Sequence, residues 1–347
     1  MYKQKVILIG PCGGGSVPKN GASAKNYHLV KFLKGKNINI STIDTENWRK
    51  NPLVLVRLLF MILGNPKAKF IIATDNRSGY RLIKFFDSLP LQYNVSYWVI
   101  GGSIASSIER GEFDIKPYKS LDSILVEGEK MRKQFAKLGV ENTIYVPNFK
   151  NIEYIPPYKT KVGDCLQFVF LSRIIPRKGC RIIIEAAKLL NKNYKNKFSV
   201  SFYGPFEESY ENEFYDSIKD LPNVNYCGFL NFSKKESYDK LAKFDAMLFP
   251  TFWPGEGFPG VLIDAFISGL PVIATDWSLN SDLIIPNETG WLIEPESVDS
   301  LYKAMRDIIE DPSKIVRMKG LCSSKAMQYD TASVINNELL KKIGIKI

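Results

Sequence analysis

Short apolar runs alternate with amphipathic stretches along almost the entire chain, and this alternation constrains the fold more than any other feature. In the first half the apolar runs occupy residues 5–9, 38–43, 70–74, 96–100 and 123–126, and helical patterns occupy residues 24–33, 53–63, 79–86 and 130–138. This order is typical of β-α-β units, whose parallel strands are covered on both faces by the connecting helices. The sequence therefore predicts a doubly wound α/β domain.

A polar stretch separates this half from a second one with the same pattern. It lies between Val146 and Leu166 and contains Pro156, Pro157 and several lysines, as expected of an interdomain linker. The apolar runs resume at residues 167–171, 197–203, 224–227, 246–250, 271–275 and 290–293, with helical patterns at 182–190, 234–242, 261–268, 298–310 and 333–343. Because 347 residues suit two domains better than one, we expect Rossmann-like domains over residues 1–150 and 151–330. A C-terminal helix over residues 331–347 is expected to pack back toward the first domain.

Composition excludes several other classes of protein. Hydrophobic residues make up 45% of the chain and charged residues 24%, which is close to the globular average and unlike disordered or collagenous sequences. No run of about 18 apolar residues is present, and the N-terminus enters an apolar strand without the pattern of a signal peptide. We therefore expect a cytoplasmic protein. The five cysteines lack C-x-x-C spacing and predict neither a zinc site nor a disulfide framework.

The balance of charge indicates an anionic partner. Lys and Arg number 47 against 36 Asp and Glu, which gives a net charge of +11. A nucleic acid, an anionic membrane surface and a phosphate-bearing substrate would each suit this charge. The chain has no aromatic and basic RNA-binding motif, no zinc-finger spacing and no basic helix-turn-helix segment, so nucleic acid is not expected as a partner.

The segment at residues 48–63 is unusually apolar and has basic residues at its flank. It is too short to cross a bilayer, which takes about 20 apolar residues. Two interpretations remain open for it. It is either a helix packed on the sheet or an interfacial patch that faces anionic lipid.

Glycines follow two of the predicted strands in the first half. Gly14 and Gly15 lie in a loop after the first strand, and Gly21 lies just before the first helix. Backbone amides in such a loop can approach a phosphate group, but the loop matches neither the G-K-[ST] ending of a Walker loop nor G-x-G-x-x-G. Gly101 and Gly102 follow the strand at residues 96–100. Each pair is either a ligand-facing loop or a plain turn.

A basic loop follows the first strand of the second half. Arg173 and Lys178 lie within this loop, at the carboxyl end of a predicted parallel strand, where open α/β sheets bind ligands. The guanidinium group offers a fork of donors and the ammonium group a point charge, so together they could hold a diphosphate. From this segment alone, a solvated basic loop is the alternative.

The segment at residues 250–274 carries the strongest chemical pattern. Glu256 lies in a loop rich in glycine, directly before a predicted helix that contains Asp264. The amides of residues 257–260 would point toward a bound anion, and the two carboxylates would accept hydrogen bonds from vicinal hydroxyl groups. A sugar and a ribose joined by a diphosphate present these groups. The alternative is a helix-capping Glu256 followed by an exposed helical Asp264.

These motifs resemble those of the family-4 glycosyltransferases of the GT-B fold. That family pairs S-R-x-x-x-x-K-G with E-G-F-x-x-x-x-x-E and a following G-x-P-V-I-A-T strand. This chain has Ser172-Arg173 with Lys178-Gly179, Glu256-Gly257-Phe258 with Asp264 at the second acidic place, and the strand motif at residues 269–275. Weaker similarity runs through nearly all of the chain.

The resemblance implies a GT-B fold, with two Rossmann-like domains that face each other across a cleft. It also implies a retaining glycosyltransferase that uses a nucleotide-sugar donor and needs neither a metal nor another cofactor. The acceptor would be a saccharide or a lipid-linked saccharide of cell-surface polysaccharide biosynthesis. An acceptor with a lipid anchor would suit the patch at residues 48–63 and a peripheral location on the inner face of the membrane.

The resemblance also implies roles for individual residues. Arg173 and Lys178 would neutralise the donor diphosphate, Glu256 would hold hydroxyl groups of the transferred sugar, and Asp264 would hold the ribose. The remaining residues expected to bind the donor are Gly228, Gly257, Phe258, Pro259 and Gly260. In the first domain, the loop with Gly14, Gly15 and Gly21 would face phosphate or acceptor, and Gly101 and Gly102 would lie on the acceptor side.

Two residues depart from the family pattern. Asp264 stands where the family has Glu, and the only histidine, His28, lies in the first predicted helix rather than at the family's histidine position. A catalytically altered GT-B partner subunit and a sugar-nucleotide epimerase therefore remain as alternatives. An NAD-dependent oxidoreductase is supported only by the first glycine loop.

Overall fold

The computed structural model describes residues 4–13, 21–46, 48 and 51–346. The chain divides into two compact units. Unit 1 consists of Met1–Asn151 and Tyr329–Ile347, and unit 2 consists of Ile152–Gln328. No helix in the described part of the chain is long and apolar enough to cross a membrane.

The sheet of unit 1 is parallel and has six strands. They are β1 (Lys5–Gly10), β2 (Asn39–Asp44), β3 (Lys69–Ile72), β4 (Asn94–Trp98), β5 (Ser123–Val126) and β6 (Thr143–Tyr145). Their order is β2-β1-β3-β4-β5-β6. Strand β6 was not predicted, because it is three residues long, lies at the edge of the sheet and has no fully buried residue to mark it.

Helices connect these strands and cover the sheet. They are α1 (Gly21–Gly35), α2 (Leu53–Leu63), α3 (Asn76–Asp87), α4 (Ile104–Glu109), α5 (Lys116–Lys119) and α6 (Glu129–Lys137). The predicted helices correspond to α1, α2, α3 and α6, whereas α4 and α5 were missed because four to six residues show no helical periodicity. Helix α3 begins where Asp75 caps the backbone amides of Arg77 and Ser78.

Unit 2 repeats this architecture. Its parallel strands are β7 (Leu166–Leu171), β8 (Phe198–Tyr203), β9 (Val224–Tyr226), β10 (Ala246–Phe249), β11 (Val272–Thr275) and β12 (Gly290–Ile293). Their order is β12-β11-β10-β7-β8-β9. Its helices are α7 (Cys180–Tyr194), α8 (Glu208–Ile218), α9 (Lys235–Leu241), α10 (Gly260–Ile267), α11 (Asn280–Leu283), α12 (Val298–Glu310) and α13 (Ser313–Ala326). The prediction of doubly wound α/β units is confirmed for both halves.

The C-terminal segment returns to the core of unit 1. It forms two short helices, α14 (Thr331–Val334) and α15 (Asn337–Lys342), rather than the one helix that the pattern predicts. The break occurs because Ile335 leaves the helical conformation and Asn336 caps α15 by accepting a hydrogen bond from the Leu339 amide at 2.9 Å. Leu340 and Ile343 are buried beside Val6 and Leu29 of unit 1.

Candidate active site

The strand order of unit 2 places two of the sequence-predicted loops side by side. β7 pairs with β8 on one edge and with β10 on the other, so the direction of strand addition reverses between β7 and β10. The carboxyl ends of strands at such a switch point form the usual ligand-binding crevice of an open α/β sheet. The loop with Arg173 and Lys178 follows β7, and the loop with Glu256 follows β10.

Glycines allow the backbone to pack closely around these loops. Gly179 ends the β7 loop with φ of +87°, and a Cβ there would lie 2.3 Å from the carbonyl oxygen of Pro250 at the start of the β10 loop. Gly204 follows β8, and a Cβ there would lie 1.8 Å from the carbonyl oxygen of Ser172. A larger residue at either position would push the loops apart.

The structure brings Lys178 and Glu256 into direct contact. Their side chains are both buried, and Lys178 Nζ donates a hydrogen bond to Glu256 Oε2 in an ion pair. Thr251 Oγ1 donates a second hydrogen bond to the same oxygen at 2.9 Å. The Lys178 ammonium also lies 5.8 Å from the centroid of the Phe249 ring. Two groups expected to bind different parts of a donor therefore bind each other in the structure.

The end of β11 and the loop that follows it hold the β10 loop in place. Thr275 Oγ1 donates to the Thr251 carbonyl at 2.5 Å, and Trp277 Nε1 donates to the Trp253 carbonyl at 2.8 Å. Ser278 Oγ donates to the carbonyl of Glu256 at 2.6 Å. Side chains from the loop after β11 thus fix the backbone around Glu256, so its carboxylate is positioned before any ligand arrives.

Arg173 differs from Lys178 in its exposure. Its side chain is exposed, and its guanidinium carbon lies 5.1 Å from the centroid of the Trp253 ring, in a cation–π contact. None of the ion pairs among the described residues involves Arg173. Its donor groups therefore remain accessible to an anion, while the indole restricts where the guanidinium can go.

Asp264 is buried, which excludes the alternative of an exposed helical aspartate. It lies in α10, is 3% exposed, and accepts a hydrogen bond from Tyr238 Oη at 2.9 Å. Burial, followed by the adjacent Asp264 carboxylate, raises the pKa of the Tyr238 hydroxyl well above its usual value. The hydroxyl therefore stays protonated and donates to the carboxylate.

Sequence reasoning missed Tyr238 as a member of this site. The signal that could have found its role is the composition of α10, in which Asp264 is the one charged residue among apolar neighbours from Val261 to Ile267. Such a helix is buried on all sides, and a buried carboxylate needs a hydrogen-bond donor. Nothing in the spacing identifies α9 as the element that supplies it.

The glycine-rich segment before α10 lies at the start of that helix. Gly257 and Gly260 are partly exposed, Phe258 and Pro259 are buried, and α10 begins at Gly260. The amides of this segment are thus at the positive end of a helix. Gly228 follows β9 with φ of +85° and has open space where a Cβ would lie, and its carbonyl accepts from the Gly204 amide at 2.9 Å.

The candidate residues of unit 1 that the structure describes lie at the carboxyl edge of its own sheet. Gly14 and Gly15 are outside the described residues, and Gly21 is the first residue of α1. Gly101 follows β4 with φ of +103°, a conformation that favours glycine, and Gly102 is next to it. These positions agree with a turn after the strand and leave both interpretations of the pair open.

A buried ion pair at the same edge was not predicted. Glu127 directly follows β5, and Lys25 Nζ of α1 lies 2.6 Å from Glu127 Oε1 and 5.0 Å from the centroid of the Trp98 ring. Burial lowers the pKa of Lys25, and the contact with Glu127 opposes that shift. No sequence motif links the two residues, which are 102 positions apart.

Two further kinds of potential site are the histidine in α1 and groups of metal ligands. His28 is half-buried in α1, with its ring 5.5 Å from that of Tyr27. Within the described part of the chain, no group of three or more His, Cys, Asp or Glu residues is arranged to hold a metal ion.

Comparison with known proteins gives one family. Residues 151–320 match the model of the glycosyl transferases group 1, and this range contains the loops after β7 and β10 together with Asp264. A capsular polysaccharide biosynthesis glycosyltransferase, CapM, of Staphylococcus aureus is 26% identical over 181 residues, which cover 50% of this chain and 45% of that protein.

Two further similarities extend this result. A GDP-mannose-dependent phosphatidylinositol monomannoside mannosyltransferase of Mycobacterium tuberculosis is 26% identical over 46% of this chain and 42% of that protein. The chain spans about half the length of the curated relatives it matches. The crystal structure of HepE from Anabaena in complex with UDP superimposes with a TM-score of 0.71, at 15% identity, over 98% of this chain and 99% of that one. The expected GT-B class of fold is confirmed.

Proposed function

We propose that this chain, which belongs to the group 1 glycosyltransferases through residues 151–320, moves a sugar from a nucleotide-diphosphate donor to a saccharide or lipid-linked saccharide. The observation that carries the proposal is the pair of neighbouring loops at the switch point of unit 2. They combine the cations Arg173 and Lys178 with the carboxylate of Glu256 and with a glycine-rich helix start. Cations and a carboxylate in one crevice suit a ligand that has both a diphosphate and hydroxyl groups.

The chemical step of the proposal is the departure of a nucleoside diphosphate. Negative charge grows on the departing phosphate, and fixed cations and helix N-termini stabilise such charge most effectively where water is excluded. Arg173 and the backbone amides of Gly257, Phe258 and Gly260 would contact the diphosphate. Lys178 would join them by exchanging part of its contact with Glu256 for a contact with the diphosphate.

Glu256 and Asp264 would bind the two ends of the donor. Glu256 would accept hydrogen bonds from the transferred sugar, because its loop precedes the helix start that is proposed to face the phosphate. Asp264 already accepts a hydrogen bond from Tyr238, and its carboxylate oxygens have the capacity to accept further bonds from ribose hydroxyls. Tyr238 would then hold Asp264 in place for the ribose.

We also propose that the transfer retains the anomeric configuration and needs no metal. Arg173, Lys178 and the helix start supply the positive charge that a divalent cation supplies elsewhere. Retention is what the resemblance to the family implies, and the departing phosphate would accept the proton of the acceptor on the same face of the sugar.

The biosynthetic role and cellular location of the enzyme are proposed from the names of its relatives. One is named for capsular polysaccharide biosynthesis, one for amylovoran biosynthesis, and one acts on a phosphatidylinositol mannoside. We propose a role in cell-surface polysaccharide or glycolipid synthesis, at the inner face of the membrane.

A panel of nucleotide sugars tests the proposal. The protein is heated with UDP, GDP and ADP sugars, and a donor at 100 times its dissociation constant should stabilise the fold by about 2.7 kcal/mol. The selected donor is then offered with candidate acceptors, and the anomeric configuration of the product is determined by NMR. If the donor binds but no acceptor or water is glycosylated, the chain is a partner subunit that has kept the fold. If no nucleotide sugar binds, the proposal is wrong.

A further inference from the structure

Helix α2 has an apolar stripe on its outer face. Leu53, Val56, Phe60 and Leu63 recur at helical spacing, so they share one side of the helix, and they are exposed by 71%, 49%, 73% and 55%. Leu58 and Ile62, on the opposite side, are buried. Contiguous apolar patches of this kind are rare on soluble monomers and usually mark an interaction site.

A cavity of about 330 Å³ lies beside this stripe, between α2 and α3. Most of its wall is hydrocarbon from Val54, Leu55, Leu58 and Leu59 of α2 and from Leu82 and Phe85 of α3. The volume lies at the lower end of the range for small-molecule sites. Because the walls offer few hydrogen-bonding groups, the cavity suits a narrow apolar ligand.

Polar groups occur at one end of the cavity. Thr45 and Thr74 follow β2 and β3 at the carboxyl edge of the sheet, and Ser78 and Arg81 lie on α3. Arg81 is exposed, so its guanidinium can contact a charged group at the opening. The combination of an apolar wall and a cation at the mouth suits an amphiphile with an anionic head.

The excess positive charge of the chain is confined to the unit that carries α2. Unit 1 has 26 Lys and Arg against 13 Asp and Glu, whereas unit 2 has 21 against 23. Arg57 on α2 and Lys84 on α3 are among the exposed cations. A surface of anionic lipid attracts such a unit at about 1 kcal/mol for each basic residue near it.

We propose that unit 1 docks on an anionic lipid bilayer through the outer face of α2, and that the cavity between α2 and α3 takes one hydrocarbon chain of a lipid from that bilayer. The helix is about 16 Å long, so it would lie in the interface rather than cross it. Two observations favour a lipid bilayer over a protein as the partner that covers α2. They are the apolar wall of the cavity and the excess of positive charge in the same unit. The inference concerns lipid binding by unit 1 and goes beyond the proposed transfer reaction.

Vesicle flotation tests the docking surface. The protein is mixed with vesicles of phosphatidylcholine that contain either 30% or no phosphatidylglycerol, a choice of composition that separates the charge from the apolar contribution. The wild type should float with the anionic vesicles, and the variant Leu53→Ser/Phe60→Ser should bind them at least tenfold more weakly, since burial of each side chain contributes about 1.5–3 kcal/mol. Leu91→Ser is the matched control, because Leu91 is 56% exposed in the same unit but lies outside α2.

Quenching by lipids with brominated acyl chains tests the cavity. Trp48 lines the cavity, so its fluorescence should be quenched by brominated phosphatidylglycerol, and the quenching should be lost in Trp48→Phe. Ser78→Phe places a ring in the cavity and should reduce the quenching at least fivefold while flotation is kept. Thermal unfolding of each variant verifies that it folds.

The outcomes separate this inference from the proposed function, because neither assay contains a nucleotide sugar. Flotation that is unchanged in Leu53→Ser/Phe60→Ser would overturn the docking surface, and undiminished quenching in Ser78→Phe would overturn the cavity. A wild type that is dimeric, does not float, and becomes monomeric on Leu53→Ser/Phe60→Ser would show that a second copy covers α2 instead.

Discussion

The contact between Lys178 and Glu256 makes a sharp prediction for Glu256→Gln. The two buried side chains neutralise each other, so a diphosphate that binds Lys178 must compete with Glu256. The substitution removes the competing charge but keeps the size of the side chain and one oxygen that accepts from Thr251. Affinity for the free nucleoside diphosphate should therefore stay the same or rise, by up to about tenfold.

The kinetics with the sugar donor should change in the opposite direction. If the Glu256 carboxylate accepts a hydrogen bond from the transferred sugar, loss of its charge removes about 1.5–3 kcal/mol of transition-state stabilisation. The value of kcat/KM should then fall about ten- to a hundredfold. The unliganded variant should also be less stable by about 3 kcal/mol, because Lys178 is left buried without an anionic partner. Bound diphosphate should recover part of that loss.

The assay compares two ligands on two variants. Isothermal titration gives the affinity for the nucleoside diphosphate, steady-state kinetics give kcat/KM for the sugar donor, and urea unfolding gives stability with and without the diphosphate. Thr251→Val is the control, since it removes one hydrogen bond to the same carboxylate oxygen but keeps the charge. If Glu256→Gln lowers the affinity for the nucleoside diphosphate as much as it lowers kcat/KM for the sugar donor, the assignment of this residue to the sugar is refuted. Unchanged turnover would show that Glu256 only organises the loop.

Three further predictions concern Arg173, the need for a metal ion, and the buried Lys319. Arg173→Ala should weaken binding of the nucleoside diphosphate by about 1.5–3 kcal/mol in titration without lowering thermal stability, because Arg173 is exposed and its charge-assisted contact is proposed to be with the ligand. Unchanged affinity would remove it from the proposed site. Turnover should survive EDTA, and a complete loss that Mg²⁺ or Mn²⁺ restores would contradict the metal-free proposal. Burial lowers the pKa of Lys319 to about 8, so the unfolded chain binds a proton between pH 8 and 10.5 that the folded chain has lost. Relative to Lys319→Met, the wild type should gain stability across that range by at most about 1.4 kcal/mol for each pH unit. Urea unfolding at several pH values measures the gain, and parallel pH profiles of the two proteins would contradict it.

Much of the fold could be predicted from the sequence because buried parallel strands are continuous apolar runs. Of the twelve strands in the described residues, eleven lie within a few residues of the predicted runs or coincide with them, as β5 and β12 do. Among the elements that were missed, β6 is half-exposed, and α8 buries only Tyr210 and Phe214 in a largely polar sequence. Helix α13 was missed although its buried residues recur at helical spacing, because Lys319, Cys322 and Ala326 do not mark an apolar face as clearly as larger aliphatic residues do.

The candidate site shows where sequence reasoning ends. The loops with Arg173 and Glu256 could be placed at strand ends, but their adjacency depends on β10 pairing with β7, which is a property of strand order. The contact between Lys178 and Glu256 joins residues 78 positions apart, and the donor to Asp264 comes from a different helix. Tertiary pairing decides these contacts, and no local pattern encodes them.

The division of the chain also bears on how the protein is made. Unit 2 is one continuous stretch, whereas the core of unit 1 includes Leu340 and Ile343 from the segment after it. At a synthesis rate of about 5–20 residues per second, the ribosome needs roughly 10–35 s to translate unit 2 before that segment emerges. During this interval the nascent first unit exposes the apolar surface around Val6 and Leu29 that the late segment covers. Unit 2 therefore contains all of its own core in one stretch, whereas unit 1 cannot complete its core until the segment after residue 328 has been made. We expect a chain truncated near residue 329 to aggregate through unit 1.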